Sequence, residues 1–253
     1  MATDKAVRDQ VSSEEWQVRV ELAACYRAIA LYGWDDLVFT HISARVPGAS
    51  EHFLINAYGM MFEEITASSL VKVDLDGNKV LASAYDINPA GFVIHSAVHE
   101  ARHDASCVLH THTRAGVAVS AQAEGLLPLS QSSLFPFATL AYHDYEGVAL
   151  NDDEKPRLVA DLGDNYAMIL CNHGLLTLGA SIADAFLMMY MLETSCQIQV
   201  MAQSSGNELK QIPAPIVMGI QAQAEQVLKG LGGSLIWPGL LRKLDRQDAS
   251  FRD

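Results

Sequence analysis

The chain contains no run of about eighteen uninterrupted apolar residues, so its sequence offers no membrane-spanning helix. It is poor in cations: 17 Lys+Arg face 30 Asp+Glu, a formal net charge of −13. A chain without a basic face has nothing to neutralise phosphates, which excludes nucleic acid as a partner. Its four cysteines (Cys25, Cys107, Cys171 and Cys196) form no C-x-x-C pair and stand singly in apolar runs. They are expected as buried, reduced thiols, which suits a cytoplasmic protein and excludes a disulfide scaffold. No apolar stretch follows the first charged residues, so no secretory leader is expected. Internal repeats and low-complexity tracts are also missing. What remains is a chain of 253 residues of which 50% are hydrophobic, ample for a buried core and incompatible with general disorder.

Local patterns predict a mixed order of elements. Ser12 to Glu15 reads as a capping box before an apolar 3.6-period run, giving a helix over 13–32 closed by Gly33. Short β-like runs follow at 38–46, 52–55, 71–74 and 80–82, separated by Pro47-Gly48 and Asp76-Gly77-Asn78 and read as hairpin-style antiparallel strands. Pro89 opens a helix that ends near Asp104. A strand over 106–113, a small-residue helix over 116–124, strands near 138–142 and 167–171 with a short helix near 152–162 between them, and a long apolar helix over 182–201 complete the core. A last helix is expected over 218–228. The domain reading is a flexible tail over 1–12, one α/β domain over 13–205, and an extension over 206–253 packed on it.

Histidines carry most of the chemistry in the sequence. In His110-Thr111-His112 the alternation of a strand turns both imidazoles to one side, suited to binding one metal. A third histidine would leave an open position for water or substrate, as catalytic sites do. His173, in Asn172-His173-Gly174 straight after an apolar strand, is the natural third candidate. His95, His99 and His103 recur at i, i+4, i+8 and are expected to form a solvated or partner-facing helix stripe. His41 sits between apolar strand residues, and His143 lies in Ala141-Tyr142-His143-Asp144-Tyr145.

With those motifs in view, the chain resembles the class II aldolase and adducin superfamily. The likeness is carried by segments 53–77, 88–121 and 172–186, above all by the ordered pair HTH and NHG. It implies a three-layer α/β/α sandwich around a mostly antiparallel central sheet. It implies a divalent metal, Zn2+ first and Mn2+ or Fe2+ next, held by His110, His112 and His173. Members are commonly homotetramers. Sugar-phosphate aldolases of the superfamily place a metal-binding, proton-abstracting Glu four residues before a helical histidine. Here Gly91 stands at that position before His95, leaving room for a larger substrate, and Pro89-Ala90 replace phosphate-holding serines. Their first phosphate loop corresponds to Thr40-His41-Ile42-Ser43, which makes Thr40 and Ser43 candidate substrate-binding residues. Phe137 stands where those enzymes carry a tyrosine and is a third. A replacement for the glutamate could come from His41, His95, Tyr142 or Asp144, with His95 and Tyr142 taken as the catalytic candidates. The phrases around 66–73, 125–130 and 141–145 resemble the adducin head, whose neck and lysine-rich tail have no counterpart here.

The implied function is a metal-dependent carbon–carbon lyase, of aldolase or decarboxylase type, on a small hydroxy- or keto-carbonyl or carboxylate compound. The alternative is an adducin-like binding or assembly protein, of the actin-cytoskeleton type, with a vestigial metal site.

Overall fold

A computed structural model describes residues 6–148, 152–220 and 232–253. Seven strands form one sheet: β1 (His41–Val46), β2 (Ala49–Ile55), β3 (Val71–Asp74), β4 (Cys107–Thr111), β5 (Leu140–His143), β6 (Ala167–Leu170) and β7 (Gly174–Gly179). Their order is β3-β2-β1-β4-β7-β6-β5. Every neighbouring pair is antiparallel except β5 and β6. Eight α-helices are described: α1 (Ser13–Leu31), α2 (Pro89–Ala101), α3 (Arg114–Ser120), α4 (Gln131–Phe137), α5 (Lys155–Leu162), α6 (Ile182–Ser204), α7 (Ala214–Met218) and α8 (Trp237–Gln247).

The two faces of the sheet follow from strand alternation. On β1, Ile42, Ala44 and Val46 point to one side, where Cys107 and Leu109 of β4 and Ala167 and Ile169 of β6 join them under α1, α3 and α6. Val108 of β4, Met168 and Leu170 of β6, and Leu176 and Leu178 of β7 point to the other side, under α2 and α5. The result is the three-layer α/β/α sandwich implied by the family likeness. Strand β4 is buried along its whole length between the two layers, so a polar residue on it must be satisfied internally. His110 is such a residue.

The helix starts obey local chemistry. Ser12 Oγ accepts from Glu15 N–H at 3.1 Å, half of the expected capping box. The Glu15 carboxylate instead turns to Arg19 and Lys72, both within 3.0 Å. Asn88 caps α2, with Pro89 at its first position, where the missing N–H costs nothing.

Several sequence expectations shift. Segment 80–82 is not a strand; its neighbour Lys79 makes only an isolated bridge to Val73. β5 and β6, expected as a strand pair with a helix between them, run parallel, as the crossover through α5 allows. Strand β7 and helices α4, α7 and α8 were not among the expected elements. The helix expected over 218–228 lies almost wholly outside the described residues. At the C-terminal end, Trp237, Leu244 and Phe251 are buried in the same core as α1, and Ala67 and Ser68 donate to the carbonyls of Phe251 and Asp253.

Candidate metal centre and its cleft

His110 and His41 lie directly opposite each other on β4 and β1, so both imidazoles rise from the α2 face of the sheet. His112 follows just past the end of β4, where the chain turns into α3. His173 sits in the turn between β6 and β7. That turn explains its own motif. Asn172 takes a left-handed conformation (φ 57°), which asparagine tolerates better than most residues, and its N–H bonds Ser120 O. Gly174 then passes so close to β4 that a Cβ would stand 2.4 Å from Thr111 O and 3.2 Å from the His112 ring. Without glycine there, β7 could not bring His173 beside the other two histidines.

One ring nitrogen from each of His110, His112 and His173 lies within 4.8 Å of the others. The outward nitrogens of two rings are engaged: His110 Nδ1 donates to Leu175 O at 2.9 Å, and His112 Nδ1 donates to Asp36 Oδ2 at 3.0 Å. Both Nε2 atoms are thereby left as acceptors, and they face each other at 2.9 Å. Two acceptors so close need a proton or a cation between them. Burial, with His173, His112 and His41 nearby, holds His110 well below the ordinary histidine range. His173 is pushed down to about 4 by burial and by His112. Neutral imidazoles with inward lone pairs are the donor set that zinc takes in catalytic sites, so the residues fit a divalent metal.

The cluster opens on a cleft of about 540 Å³ whose walls include Asp36, Phe39, His41, Tyr58, Ile94 and Tyr145. Neither lysine nor arginine is among its described lining residues. Phe39, Tyr58 and Tyr145 are exposed at its rim.

The other sequence candidates are placed apart. His95 is fully buried one layer behind the cleft. Its Nε2 meets His41 Nδ1 at 2.8 Å and its Nδ1 meets Ser43 Oγ at 2.6 Å. Ser43 bridges His95 to His99 Nε2 at 2.7 Å, so its hydroxyl is committed inside the protein. Thr40 is buried and outside the cleft lining. Tyr142 and Phe137 line a different cavity of about 910 Å³, alongside Asp144, Cys171 and Asn172. The Tyr142 hydroxyl accepts from Leu126 N–H at 3.0 Å.

Two expectations are corrected. His95 and His99 do not form a solvated stripe: both are buried against β1, because α2 turns this face to the sheet, and only His103 beyond the helix end is exposed. Gly91 does not leave room for a larger substrate, because the His41 ring fills that space.

Two contributors were invisible in the sequence. Asp36 lies 76 residues before the histidine it orients, and nothing in its local pattern marks it. Glu193, buried on α6, accepts a short bond from the Thr113 hydroxyl and secures the turn after His112. Burial raises its pKa above the ordinary range, opposed by the bonds from Thr113 and Gln197.

Comparison with known proteins agrees with this fold. The family described as class II aldolase and adducin N-terminal domain matches residues 20–200. A Pseudomonas aeruginosa protein provisionally named an aldolase class 2 protein is 63% identical over 249 residues, covering 97% of this chain and 96% of that one. Alpha-adducin of Mus musculus is 45% identical over 191 residues, covering 74% of this chain but only 26% of the adducin. The crystal structure of an aldolase II superfamily protein from Pseudomonas syringae superposes with a TM-score of 0.93 at 54% identity, covering 98% of this chain and 100% of that one. L-fuculose 1-phosphate aldolase from Glaciozyma antarctica superposes with a TM-score of 0.80 at 26% identity, covering 100% and 96%.

Proposed function

The chain belongs to the class II aldolase and adducin family, and on that premise we propose that it is a divalent-metal-dependent carbon–carbon lyase acting on a small, unphosphorylated hydroxy- or keto-carbonyl compound. The observation that carries the reading is the convergence of three histidines, two of which have their outward nitrogens fixed by Leu175 O and Asp36 so that their inward nitrogens are acceptors. His110, His112 and His173 would hold the metal, with zinc the first choice for three imidazoles and Mn2+ or Fe2+ the next. A cation bound there supplies Lewis-acid polarisation of a chelating carbonyl and a sink for the electron pair released on cleavage.

The rest of the reading concerns what this chain contributes. Gly91 brings no carboxylate to the cleft, so proton abstraction of the usual aldolase kind lacks its base. Decarboxylation needs no such base, because loss of CO2 itself generates the carbanion, and that favours decarboxylase-type over aldolase-type cleavage. The described lining offers a phosphate dianion no lysine or arginine, and the net charge of −13 does not draw one in. Family likeness supports a homo-oligomer, with a tetramer as our reading, and the exposed apolar rim of the cleft is consistent with burial in such an assembly. A cytoplasmic location belongs to the same proposal. It agrees with thiols that are free among the described residues and with the absence there of a helix able to cross a membrane.

The test is elemental analysis of protein expressed with ample metal, beside His110→Ala and His173→Ala, followed by a screen of hydroxy- and keto-acids for CO2 against aldehyde release. Stoichiometric metal in the wild type, lost in both variants, together with CO2 release is the expected result. A metal-free wild type refutes the proposal. A second reading, a non-catalytic binding or assembly role, is favoured by the 45% identity to alpha-adducin over the head region. Metal without turnover on any of these substrates would select it.

A further inference from the structure

Gly91 lies buried in the first turn of α2, and its backbone does not enter the left-handed region that calls for glycine. In a helix, alanine is ordinarily the better residue. What demands glycine is the imidazole of His41. A Cβ on residue 91 would lie 2.2 Å from its Cδ2, 2.4 Å from its Nε2 and 2.7 Å from its Cγ, far inside contact distance.

The ring has little freedom to swing aside. Its Nδ1 is bonded to His95 Nε2 at 2.8 Å, and His95 is held in turn by Ser43. The His110 ring lies against it at a centroid distance of 5.2 Å. His41 is 3% exposed, yet it is part of the cleft wall together with His110, His112 and His173. Helix α2 and strand β1 thus compete for one volume beside the three-histidine cluster, and only one of them can place a side chain there.

We propose that His41 and Gly91 form a steric pair that decides which element supplies the side chain beside the three-histidine cluster in this cleft. His41, from β1, contacts the substrate, and Gly91 is required on α2 to admit its ring. The substrate half of this inference rests on the metal-dependent reading above; the steric half does not.

The experiment is a double-mutant cycle on His41→Ala, Gly91→Ala and the pair, read in two ways. In urea unfolding of the metal-free protein, Gly91→Ala should lower the midpoint in the wild-type background and raise it in the His41→Ala background, where only its helix preference is left. In the Zn2+-loaded protein, binding of acetohydroxamate, a chelating hydroxy-carbonyl mimic, is followed by calorimetry with zinc content checked for each variant. Each single substitution should weaken binding at least tenfold at unchanged zinc content, and the double variant should be no weaker than the worse single. A Gly91→Ala midpoint that rises in the wild type overturns the steric pair. Hydroxamate losses that multiply in the double variant, or that are absent in His41→Ala, overturn the contact with substrate. A wild type that takes up no zinc refutes the proposed function and the contact together, while the urea arm still decides the pairing.

Discussion

His99 offers a quantitative test of how α2 is held to the sheet. It is fully buried between Ser43 Oγ and the face of Phe53, with ring centroids 4.9 Å apart. Burial, and then the nearby charge of Arg45, push its pKa from 6.5 down to about 3. The folded value is depressed, so the unfolded chain takes up a proton in this window while the folded one does not. Stability is therefore complete above about pH 6.5 and is lost as pH falls toward 3. At roughly 1.4 kcal/mol per unit, this one residue costs about 2 kcal/mol between pH 6.5 and 5.0 and about 5 kcal/mol across the whole window. His41 and His95 are shifted in the same direction, by burial first and neighbouring histidines second, so the wild-type loss should exceed that of one residue. The perturbation is His99→Gln, which keeps a polar partner for Ser43 but cannot titrate. The assay is urea unfolding with chelator present, at pH 7.5, 6.5 and 5.0. The variant should be less stable at pH 7.5 yet lose about 2 kcal/mol less than the wild type between pH 6.5 and 5.0. Equal losses in the two proteins, within about 0.3 kcal/mol, would refute a buried neutral His99.

Other expectations follow from single contacts. Asp36→Asn should weaken zinc affinity by about 10–100-fold in chelator competition, because His112 loses the carboxylate that orients it. Gly174→Ala should destabilise by about 1–3 kcal/mol in denaturant unfolding, since its Cβ would meet the Thr111 carbonyl at 2.4 Å and backbone must move. Phe251→Ala should cost about 3–5 kcal/mol by the same measurement, because the ring is wholly buried in the core shared with α1.

Much of the fold was legible in the chain because its signals are local. The cap at Ser12, the glycine at residue 33, the proline that opens α2 and the alternation within β4 each act over a few residues, and the structure bears them out. β7 was missed because Gly174–Gly179, buried on both faces, shows no alternation of apolar and polar residues. The parallel sense of β5 and β6 suits the helix expected between those two strands, since a parallel pair needs a long crossover connection. The three histidines of the cluster were named from two short motifs, HTH and NHG, and from the family likeness that joins them, although His112 lies just past the end of β4 and not on the strand.

What the sequence alone determined, then, is most of the elements, the two-sided apolar pattern and the three histidines that come together. Tertiary structure decided which groups surround that set. Only pairing of β1 with β4 puts His41 opposite His110, and only the packing of α2 on that pair buries His95 and His99 and gives the space beside Gly91 to an imidazole. The reason is range: a cap or a strand alternation is written within a few residues, whereas competition between two side chains for one volume exists only once their elements are packed.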